Sequence, residues 1–332
     1  MKTLVTGATG FLGRYVVEQL VEAGATVRVL VRRKDDQFAS LGVEQVLADI
    51  RDRDAVVAAC QDVETVHHVA GVAGIWGPWS HFYEINTLGT QYVIEGCRRH
   101  GVQRLVYTSS PSVTFDGHSQ EGIDESAPYP TDWLCHYPHS KALAEQQVLA
   151  ANEEGGLLTC SLRPHLIWGP RDRHLIPRLL ARARSGKLRR VGDGTNLVDT
   201  IYVENAAMAH LQAADALTAG SAVAGRAYFI SQGEPVNCWD WIDQILGLAG
   251  LPPVEKSISL GIARNAGRVL EMAHGLLALG AEPRMTRFLA AQLGTSHYFD
   301  ISAARQDFGY SARIPTDEGL ARLAAELSSL PD

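Results

Sequence analysis

Short apolar runs rich in β-branched residues alternate with longer segments of helical periodicity throughout the first half of the chain. Strands are predicted at residues 3–6, 26–31, 44–47, 65–69, 104–108 and 158–162, and helices between several of them at residues 12–22, 90–99 and 140–151. Strands that are separated by helices favour right-handed crossovers. The pattern therefore predicts the α/β class, with a doubly wound parallel sheet.

The second half of the chain is less regular. Helical patterns lie at residues 176–188, 205–217 and 240–250, and short strands are predicted at residues 200–203 and 227–230. No internal repeat or low-complexity linker marks a boundary between the halves. We predict that residues 1–165 form the sheet domain, to which a segment near 195–215 returns. Most of residues 166–332 are then expected to form a smaller, discontinuous lobe.

Glycines follow the first predicted strand in a GxxGxxG spacing and open the first helix. The first glycine permits a tight turn, the second lets the backbone approach a pyrophosphate, and the third allows close packing of helix on sheet. Glycine also occurs in ordinary strand-to-helix turns, but this position favours a dinucleotide site. The expected contacts of this turn are Gly7, Thr9, Gly10, Phe11 and Leu12.

The end of the second predicted strand indicates which dinucleotide is bound. An NAD site usually has an acid about 20 residues beyond the glycines, where it binds the ribose 2′-hydroxyl. Here no acid occurs before Asp35, and Arg32 and Arg33 stand in its place. Their forked donors suit a 2′-phosphate, so we predict NADP(H) over NAD(H), with Arg14 as a further candidate contact. The alternative is a solvated basic strand end.

Asp49 and Ile50 follow the third predicted strand and are further expected cofactor contacts. The Asp49 carboxylate is a candidate acceptor for the adenine amino group. It is equally a candidate N-cap of the next helix.

Tyr137 and Lys141 lie four residues apart on a predicted helix, so both side chains occupy one face. A free tyrosine has a pKa of about 10, and a neighbouring ammonium group favours the phenolate. Tyr137 is therefore a candidate acid and base for a carbonyl–alcohol reaction. The same spacing arises by chance on many helices, but Ser109 and Ser110 end a predicted strand and offer a hydroxyl for the substrate oxygen.

The glycine turn, the strand-end serines and the Tyr-xxx-Lys pair, in this order, resemble the extended short-chain dehydrogenase/reductase family. The resemblance extends to "NTLGT" from Asn86, "SLRPHLIWGPRD" from Ser161 and "LVDTIYVENAAMAH" from Leu197. It implies a Rossmann domain over residues 1–165 that binds NADP(H), and a substrate-binding lobe over most of residues 166–332. The implied catalytic residues are Ser110, Tyr137 and Lys141, with Ser109 and Ser112 as alternatives to Ser110, and the implied further cofactor contacts are Tyr137, Lys141, Val69, Ala70 and Pro164.

Three further segments are "SSPSVTFDG" from Ser109, "RPHLIWGPRDRHLIPRLLARARSGKL" from Arg163 and "EPRMTRFLAAQLGTSHYFDI" from Glu282. Through them the chain resembles the 3β-hydroxysteroid dehydrogenase branch of that family, and most of all its 2-alkyl-3-oxoalkanoate reductases of bacterial long-chain olefin biosynthesis. This likeness implies NADPH-dependent reduction of the 3-keto group of a 2-alkyl-3-oxoalkanoic acid. The alternative activity is that of a 3β-hydroxysteroid or sterol-4α-carboxylate 3-dehydrogenase. A non-catalytic dinucleotide sensor is a third hypothesis, which the Tyr137–Lys141 pair argues against.

Several features indicate a long-chain hydrophobic substrate. Residues 258–280 contain an apolar stripe at helical spacing. The helix that carries it either packs on the core, covers an acyl pocket as a lid, or presents a surface to a membrane or a pathway enzyme. An aromatic loop either lines the pocket mouth or packs on itself: its members are Trp76, Trp79, Phe82 and Tyr83. The candidates for binding a substrate carboxylate are Arg171, Arg173 and Arg287.

Composition narrows the classes of partner and site. The net charge of −7 argues against nucleic acid, and no apolar stretch approaches 18 residues. Five dispersed cysteines without a CxxC pair argue against a disulfide framework or a structural zinc, and no metal site is predicted. The N-terminus has no apolar core or cleavage site of a signal peptide. We expect a homodimer in the cytoplasm, with membrane association as an open alternative.

Overall fold

Strands from both halves of the chain form one sheet in the computed structural model, which describes residues 2–277 and 279–329. The strands are β1 Lys2–Thr6, β2 Thr26–Val31, β3 Glu44–Leu47, β4 Thr65–His68, β5 Arg104–Thr108, β6 Gln120–Ile123, β7 Leu158–Pro164, β8 Ile167–Trp168, β9 Arg190–Val191, β10 Leu197–Val198, β11 Ile201–Tyr202, β12 Arg226–Ile230, β13 Val236–Asn237, β14 Ser257–Ile258 and β15 His297–Phe299.

The helices pack on both faces of this sheet and build the second lobe. They are α1 Phe11–Glu22, α2 Asp36–Ser40, α3 Arg53–Ala59, α4 Trp79–Phe82, α5 Gly89–His100, α6 His136–Ala150, α7 Leu175–Arg184, α8 Val203–Ala216, α9 Cys238–Leu248, α10 Leu260–Leu276, α11 Arg287–Gly294, α12 Ser302–Phe308 and α13 Thr316–Ser329. A π-helical turn, Tyr83–Leu88, joins α4 to α5, and short 3₁₀ turns occur at Pro111–Thr114 and Glu154–Gly156.

The central sheet has seven strands in the order β12-β7-β5-β4-β1-β2-β3, and every neighbouring pair is parallel. The predicted doubly wound parallel sheet is therefore confirmed. The chain runs outwards from β1 to β3 and then returns to add β4 on the other side of β1. This reversal makes the carboxyl ends of β1 and β4 the topological switch point, where ligands bind in such sheets.

Alternating residues of the strands supply two cores on opposite faces of the sheet, as the two-residue period of a strand requires. Val5 and Val29 point towards the layer that contains α1 and α8, whereas Leu4 and Leu30 point towards α3 and α5. The second lobe has its own core around Trp168 and the helix α9.

The strands predicted at residues 200–203 and 227–230 occur as β11 and β12, but the pairing of the later strands was not predicted. Strand β12 lies at the edge of the central sheet beside β7, and β13, β10, β15 and β6 form a separate four-stranded sheet. Two further strand pairs are β8 with β11 and β9 with β14. The domain boundary at residue 165 stays a prediction. No helix in the described ranges combines the length and apolarity that crossing a membrane requires.

Candidate active site

The predicted site residues gather at one edge of the central sheet. Gly7, Thr9, Gly10, Phe11 and Leu12 follow β1, Arg32 and Arg33 follow β2, Asp49 and Ile50 follow β3, Val69 and Ala70 follow β4, Ser110 follows β5, Pro164 ends β7, and Tyr137 and Lys141 lie on α6. Carboxyl ends of parallel strands meet at the same edge, so residues that are distant in sequence become neighbours.

The three glycines of the first turn have different steric surroundings. Gly7 has a φ of +71°, and a Cβ there would lie 2.6 Å from the Ala70 nitrogen. A Cβ on Gly13 would lie 2.2 Å from the Gly7 carbonyl oxygen, so this position requires glycine for packing. Gly10 is exposed and is the N-cap residue of α1, and a glycine has no side chain that could cap the first N–H groups of the helix. The first N–H groups of α1 are therefore free to bind an anion such as a pyrophosphate.

Arg32 and Arg33 are exposed beyond the buried end of β2 and make no ion pair within the described ranges. Arg14, by contrast, binds Asp35 and Gln37. Arg14 is thus committed to a carboxylate, and the structure does not support it as a phosphate contact. The two exposed arginines keep their donors available.

Asp49 accepts two hydrogen bonds from the Arg51 side chain, at 2.9 and 3.0 Å, and one from the Arg51 backbone. These bonds lower the pKa of Asp49 to about 2, which keeps it a carboxylate acceptor. The N-cap of α3 is Asp52, whose side chain accepts from the Ala55 nitrogen at 3.2 Å. The alternative role of Asp49 as this cap is therefore wrong.

Tyr137 lies in the first turn of α6 and reaches a cavity beside Ser110. Burial raises the pKa of Tyr137, and a hydrogen bond with Ser110 opposes that shift. Ser110 Oγ also accepts from the Ser112 nitrogen at 3.2 Å and lies 2.8 Å from the Ser112 hydroxyl. Ser110 and Ser112 line the cavity together with Tyr137, whereas Ser109 is buried and does not.

Lys141 is buried one turn further along α6, and its Nζ donates to the Thr108 carbonyl at 2.6 Å. Burial lowers the pKa of Lys141 to about 7, although the negative charge of Glu145 acts to raise it. The expected lowering of the Tyr137 pKa is absent in this structure, because desolvation outweighs the other influences on the phenol. Lys141 instead lies near Gly71, at the edge where the glycine turn meets β4.

A buried ion pair that sequence reasoning missed anchors α6 to the sheet. Arg163 on β7 donates to Glu145 at 2.6 Å, and both side chains are almost fully buried. Glu145 also accepts from the hydroxyls of Tyr129 and Ser161, each at 2.8 Å. The signal was present in the "SLRP" segment, where an arginine stands within an apolar strand pattern.

A second contact missed from the sequence comes from the π-helical turn. Asn86 donates to the Ser140 hydroxyl at 2.9 Å and exchanges two hydrogen bonds with the backbone of Val72. It thereby fixes the loop after β4 against α6, beside Tyr137. Such π-helical turns are frequent at functional sites.

The cavity beside Tyr137 has a volume of about 170 Å³. Apolar rings form much of its wall, and its polar members are Ser110, Ser112, Gln120, Tyr137, His165, Gln292 and His297. No arginine or lysine lines it. Across residues 2–277 and 279–329, no group of three or more histidine, cysteine or acidic side chains is placed to hold a metal.

The three arginines considered for a carboxylate lie elsewhere. Arg171 binds Glu18, and Arg287 binds Glu271. Arg173 is not among the cavity residues. None of the three candidates therefore lines the cavity beside Tyr137.

The aromatic loop after β4 packs on itself and on neighbouring helices. Trp79 stacks on Tyr83 with ring centroids 5.3 Å apart, and Phe82 is buried. Trp76 donates to the Leu279 carbonyl at 3.3 Å, just beyond the end of α10. None of these rings lines the cavity beside Tyr137, so the structure favours the packing alternative.

Helix α10 packs through small residues and exposes its large ones. A Cβ on Gly267 would lie 2.6 Å from the Thr286 backbone, which shows how closely the helix approaches α11. The exposed apolar side chains are Ile262, Val269, Met272, Leu276, Leu277 and Leu279. Of the three alternatives for the apolar stripe, packing on the core is therefore wrong for most of its members, among them Ile262, Val269 and Leu276. Ala278, within the predicted segment 258–280, lies outside the described residues.

The strand order and the site define the class, a nicotinamide-dependent oxidoreductase of the extended short-chain dehydrogenase/reductase type. A family model described as the 3-beta hydroxysteroid dehydrogenase/isomerase family matches residues 4–260, and the chain belongs to this family. The predicted resemblance is confirmed. Members of this class oxidise CH–OH groups, or reduce the corresponding C=O groups, with NAD(P), and the chain is an enzyme of this kind.

The relatives that match nearly the whole chain include a reductase and a sterol dehydrogenase. The 2-alkyl-3-oxoalkanoate reductase of Stenotrophomonas maltophilia is 47% identical over 327 residues, which are 98% of this chain and 99% of the relative. The decarboxylating sterol-4-alpha-carboxylate 3-dehydrogenase of Mus musculus is 35% identical over 325 residues, 97% of this chain and 89% of the relative. Among solved structures, MoeE5 in complex with UDP-glucose and NAD has a TM-score of 0.76 and 26% identity, with 99% of each chain covered.

Proposed function

We propose that the enzyme uses NADPH to reduce the 3-keto group of a 2-alkyl-3-oxoalkanoic acid to the 2-alkyl-3-hydroxy acid. The observation that carries the proposal is the cavity that Tyr137 and Ser110 line together at the carboxyl edge of the sheet. The 47% identity to a 2-alkyl-3-oxoalkanoate reductase supports the substrate class.

The residues at this edge fit a dinucleotide. The uncapped N-terminus of α1, beside the exposed Gly10, suits the pyrophosphate, and Asp49 suits the adenine amino group. Lys141 and the backbone at Val69 to Ala70 border the same cleft, and Pro164 ends the strand that faces it. When bound, the reduced nicotinamide supplies a hydride to the carbonyl carbon.

The chain's own part in the reaction is to hold and protonate the carbonyl oxygen. Ser110 donates a hydrogen bond to that oxygen, and Tyr137 transfers its phenolic proton to it as the carbon is reduced. The C=O group thus becomes CH–OH, the Tyr137 O–H bond breaks, and solvent returns the proton to the phenolate. The raised pKa of Tyr137 keeps the phenol protonated at neutral pH, which suits the reductive direction.

The preference for NADPH rests on the free donors of Arg32 and Arg33. Each charge-assisted hydrogen bond to a 2′-phosphate contributes about 1.5–3 kcal/mol. The double variant Arg32→Ala/Arg33→Ala should therefore raise the KM for NADPH at least about 10-fold and leave that for NADH nearly unchanged. Lys34→Ala removes a neighbouring exposed charge and serves as the matched control. An unchanged KM ratio in the double variant would contradict the preference.

Oxidation of a sterol-4α-carboxylate is the second candidate, because a relative with that name is 35% identical. Incubation with NADPH and β-keto acids, in parallel with NAD⁺ or NADP⁺ and 3β-hydroxysteroids, separates the two candidates. Turnover of the steroids alone would overturn the reductase proposal. Binding of NADPH without turnover of either panel would favour the dinucleotide sensor.

The exposed face of α10 is proposed to rest on a lipid surface, from which a long-chain substrate would enter. Its apolar side chains are contiguous with Leu277 and Leu279, and the exposed Arg268 suits anionic headgroups. Vesicles containing anionic lipid should co-sediment the wild type but not the variant Val269→Ser/Leu276→Ser. Equal sedimentation of both proteins would contradict the proposal. The homodimer also stays a prediction, which light scattering would test.

A further inference from the structure

We propose that His165 and His297 hold the carboxylate of the substrate and take up one proton from solvent when it binds. The inference rests on the proposed function, since it names the group that this cavity recognises. The two histidines would take the role for which Arg171, Arg173 and Arg287 were candidates.

The backbone fixes the tautomer of each neutral imidazole. His165 Nδ1 lies 2.6 Å from the Asp199 carbonyl and must donate to it, so Nε2 carries the lone pair. His297 Nε2 lies 2.8 Å from the Gln292 carbonyl and must donate in turn, so Nδ1 carries the lone pair. The two rings are 4.8 Å apart and both line the cavity.

This wall therefore offers acceptors in its neutral form. Of the residues that line the cavity, His297 and Gln120 each have a buried polar atom without a hydrogen-bond partner, Nδ1 and Oε1 respectively. Gln120 is the neighbour of His297 across the β6–β15 pair. Carboxylate oxygens are also acceptors, so a substrate carboxylate can bond to these imidazoles only if a proton is added. Protonation of one imidazole supplies both the N–H donor and the positive charge.

The surroundings favour one added proton and not two. Burial lowers the pKa of both histidines, and a charge on His297 further lowers the pKa of His165. A bound carboxylate would reverse this shift for one ring, because it stabilises the imidazolium. The other titratable or charged groups near the pair are Asp199, Tyr137 across the cavity, and the Arg163–Glu145 pair behind the rings of Phe229 and Phe299.

Asp199 is the group that most needs a control, because burial raises the pKa of its carboxyl to about 6. Its carboxylate accepts from the Phe299 nitrogen at 2.9 Å, whereas His165 bonds only to its backbone carbonyl. Asp199→Asn keeps an acceptor for Phe299 and removes the titration. The effects of Asp199 and of the histidines can therefore be separated.

Two variants remove the proposed contacts and keep the structural hydrogen bonds. His165→Asn keeps an N–H donor for the Asp199 carbonyl, and His297→Gln keeps one for the Gln292 carbonyl. Loss of a charge-assisted hydrogen bond should weaken binding of a carboxylate about 10- to 100-fold. Arg287→Ala should leave it unchanged within about 2-fold.

The test is calorimetric binding of an inert 2-alkylalkanoic acid to the NADP⁺-loaded enzyme, in buffers of different ionisation enthalpy. We expect uptake of about one proton near pH 8, in the wild type and in Asp199→Asn. His165→Asn and His297→Gln should bind the acid more weakly, and the methyl ester should bind all variants alike without proton uptake. Three results would each overturn the inference. The acid binds the wild type without proton uptake, it binds the two histidine variants as tightly as the wild type, or it does not bind at all. Turnover of β-keto acids, measured separately, judges the proposed function.

Discussion

The buried pair of Arg163 and Glu145 allows a sharp prediction about how the catalytic helix is held. Arg163→Met leaves the Glu145 carboxylate in a site where it is fully buried and retains only hydroxyl donors. Removing one partner of a buried pair typically costs about 3–5 kcal/mol, because the remaining charge is uncompensated. We expect the free energy of unfolding at pH 7 to fall by about this amount, as measured by urea denaturation followed by tryptophan fluorescence.

The double variant Arg163→Met/Glu145→Gln supplies the control. It removes both charges, so its loss of stability should be at least about 2 kcal/mol smaller than the sum of the single losses. The pairing keeps the pKa of Glu145 below its usual value against the effect of burial, so its contribution is present above about pH 4.3 and is lost as the pH falls. A loss below about 1 kcal/mol in Arg163→Met, or additive losses in the double variant, would refute the reasoning.

Three further changes test other parts of the site. Gly13→Ala places a Cβ 2.2 Å from the Gly7 carbonyl oxygen, so the turn must shift and the Kd for NADPH should rise at least about 10-fold; an unchanged Kd would contradict this. Asp52→Ala should lower the free energy of unfolding by about 1 kcal/mol through loss of the α3 cap, whereas equal losses in Asp49→Ala would contradict the assignment. The lowered pKa of Lys141 means that wild-type stability rises with pH from about 7 towards 10, and Lys141→Met should lack this rise in pH-dependent unfolding; a parallel rise in both proteins would exclude Lys141 as its source.

Local patterns were sufficient to predict the central features of the fold. The strands β1 to β5 and β7 were predicted from their apolar runs. The glycine turn was predicted from the spacing of Gly7, Gly10 and Gly13, and the structure leaves no room for a Cβ at Gly7 or Gly13. Parallel strands then bring their carboxyl ends together without further information. The clustering of Tyr137 and Ser110 follows from that topology.

Long-range packing decides what the sequence did not reveal. Strands β6, β10, β13 and β15 are two to four residues long, and they exist because distant segments pair. Of the histidines that line the cavity, His165 follows β7 and His297 lies in β15, and no local pattern joins them. His165 was visible only as part of a family segment, and the role of His297 depends on the carbonyl that fixes its tautomer.

Neighbouring charges also decide roles that spacing leaves open. Arg14 and Arg32 look alike in the sequence. In the structure Arg14 is paired with Asp35, whereas Arg32 is exposed. The apolar stripe of α10 has helical spacing, yet Ala263 and Gly267 make the buried contact because only small residues permit the close approach to α11.

The most direct test of the account is turnover by Tyr137→Phe with NADPH and a 2-alkyl-3-oxoalkanoic acid. Phenylalanine keeps the ring and removes the proton donor, and general acid catalysis typically contributes about 10²- to 10⁴-fold. We predict that kcat falls at least about 100-fold while the Kd for NADPH stays within about 2-fold of the wild-type value. Turnover that survives the change at near wild-type rate would contradict the assignment of Tyr137 as the proton donor.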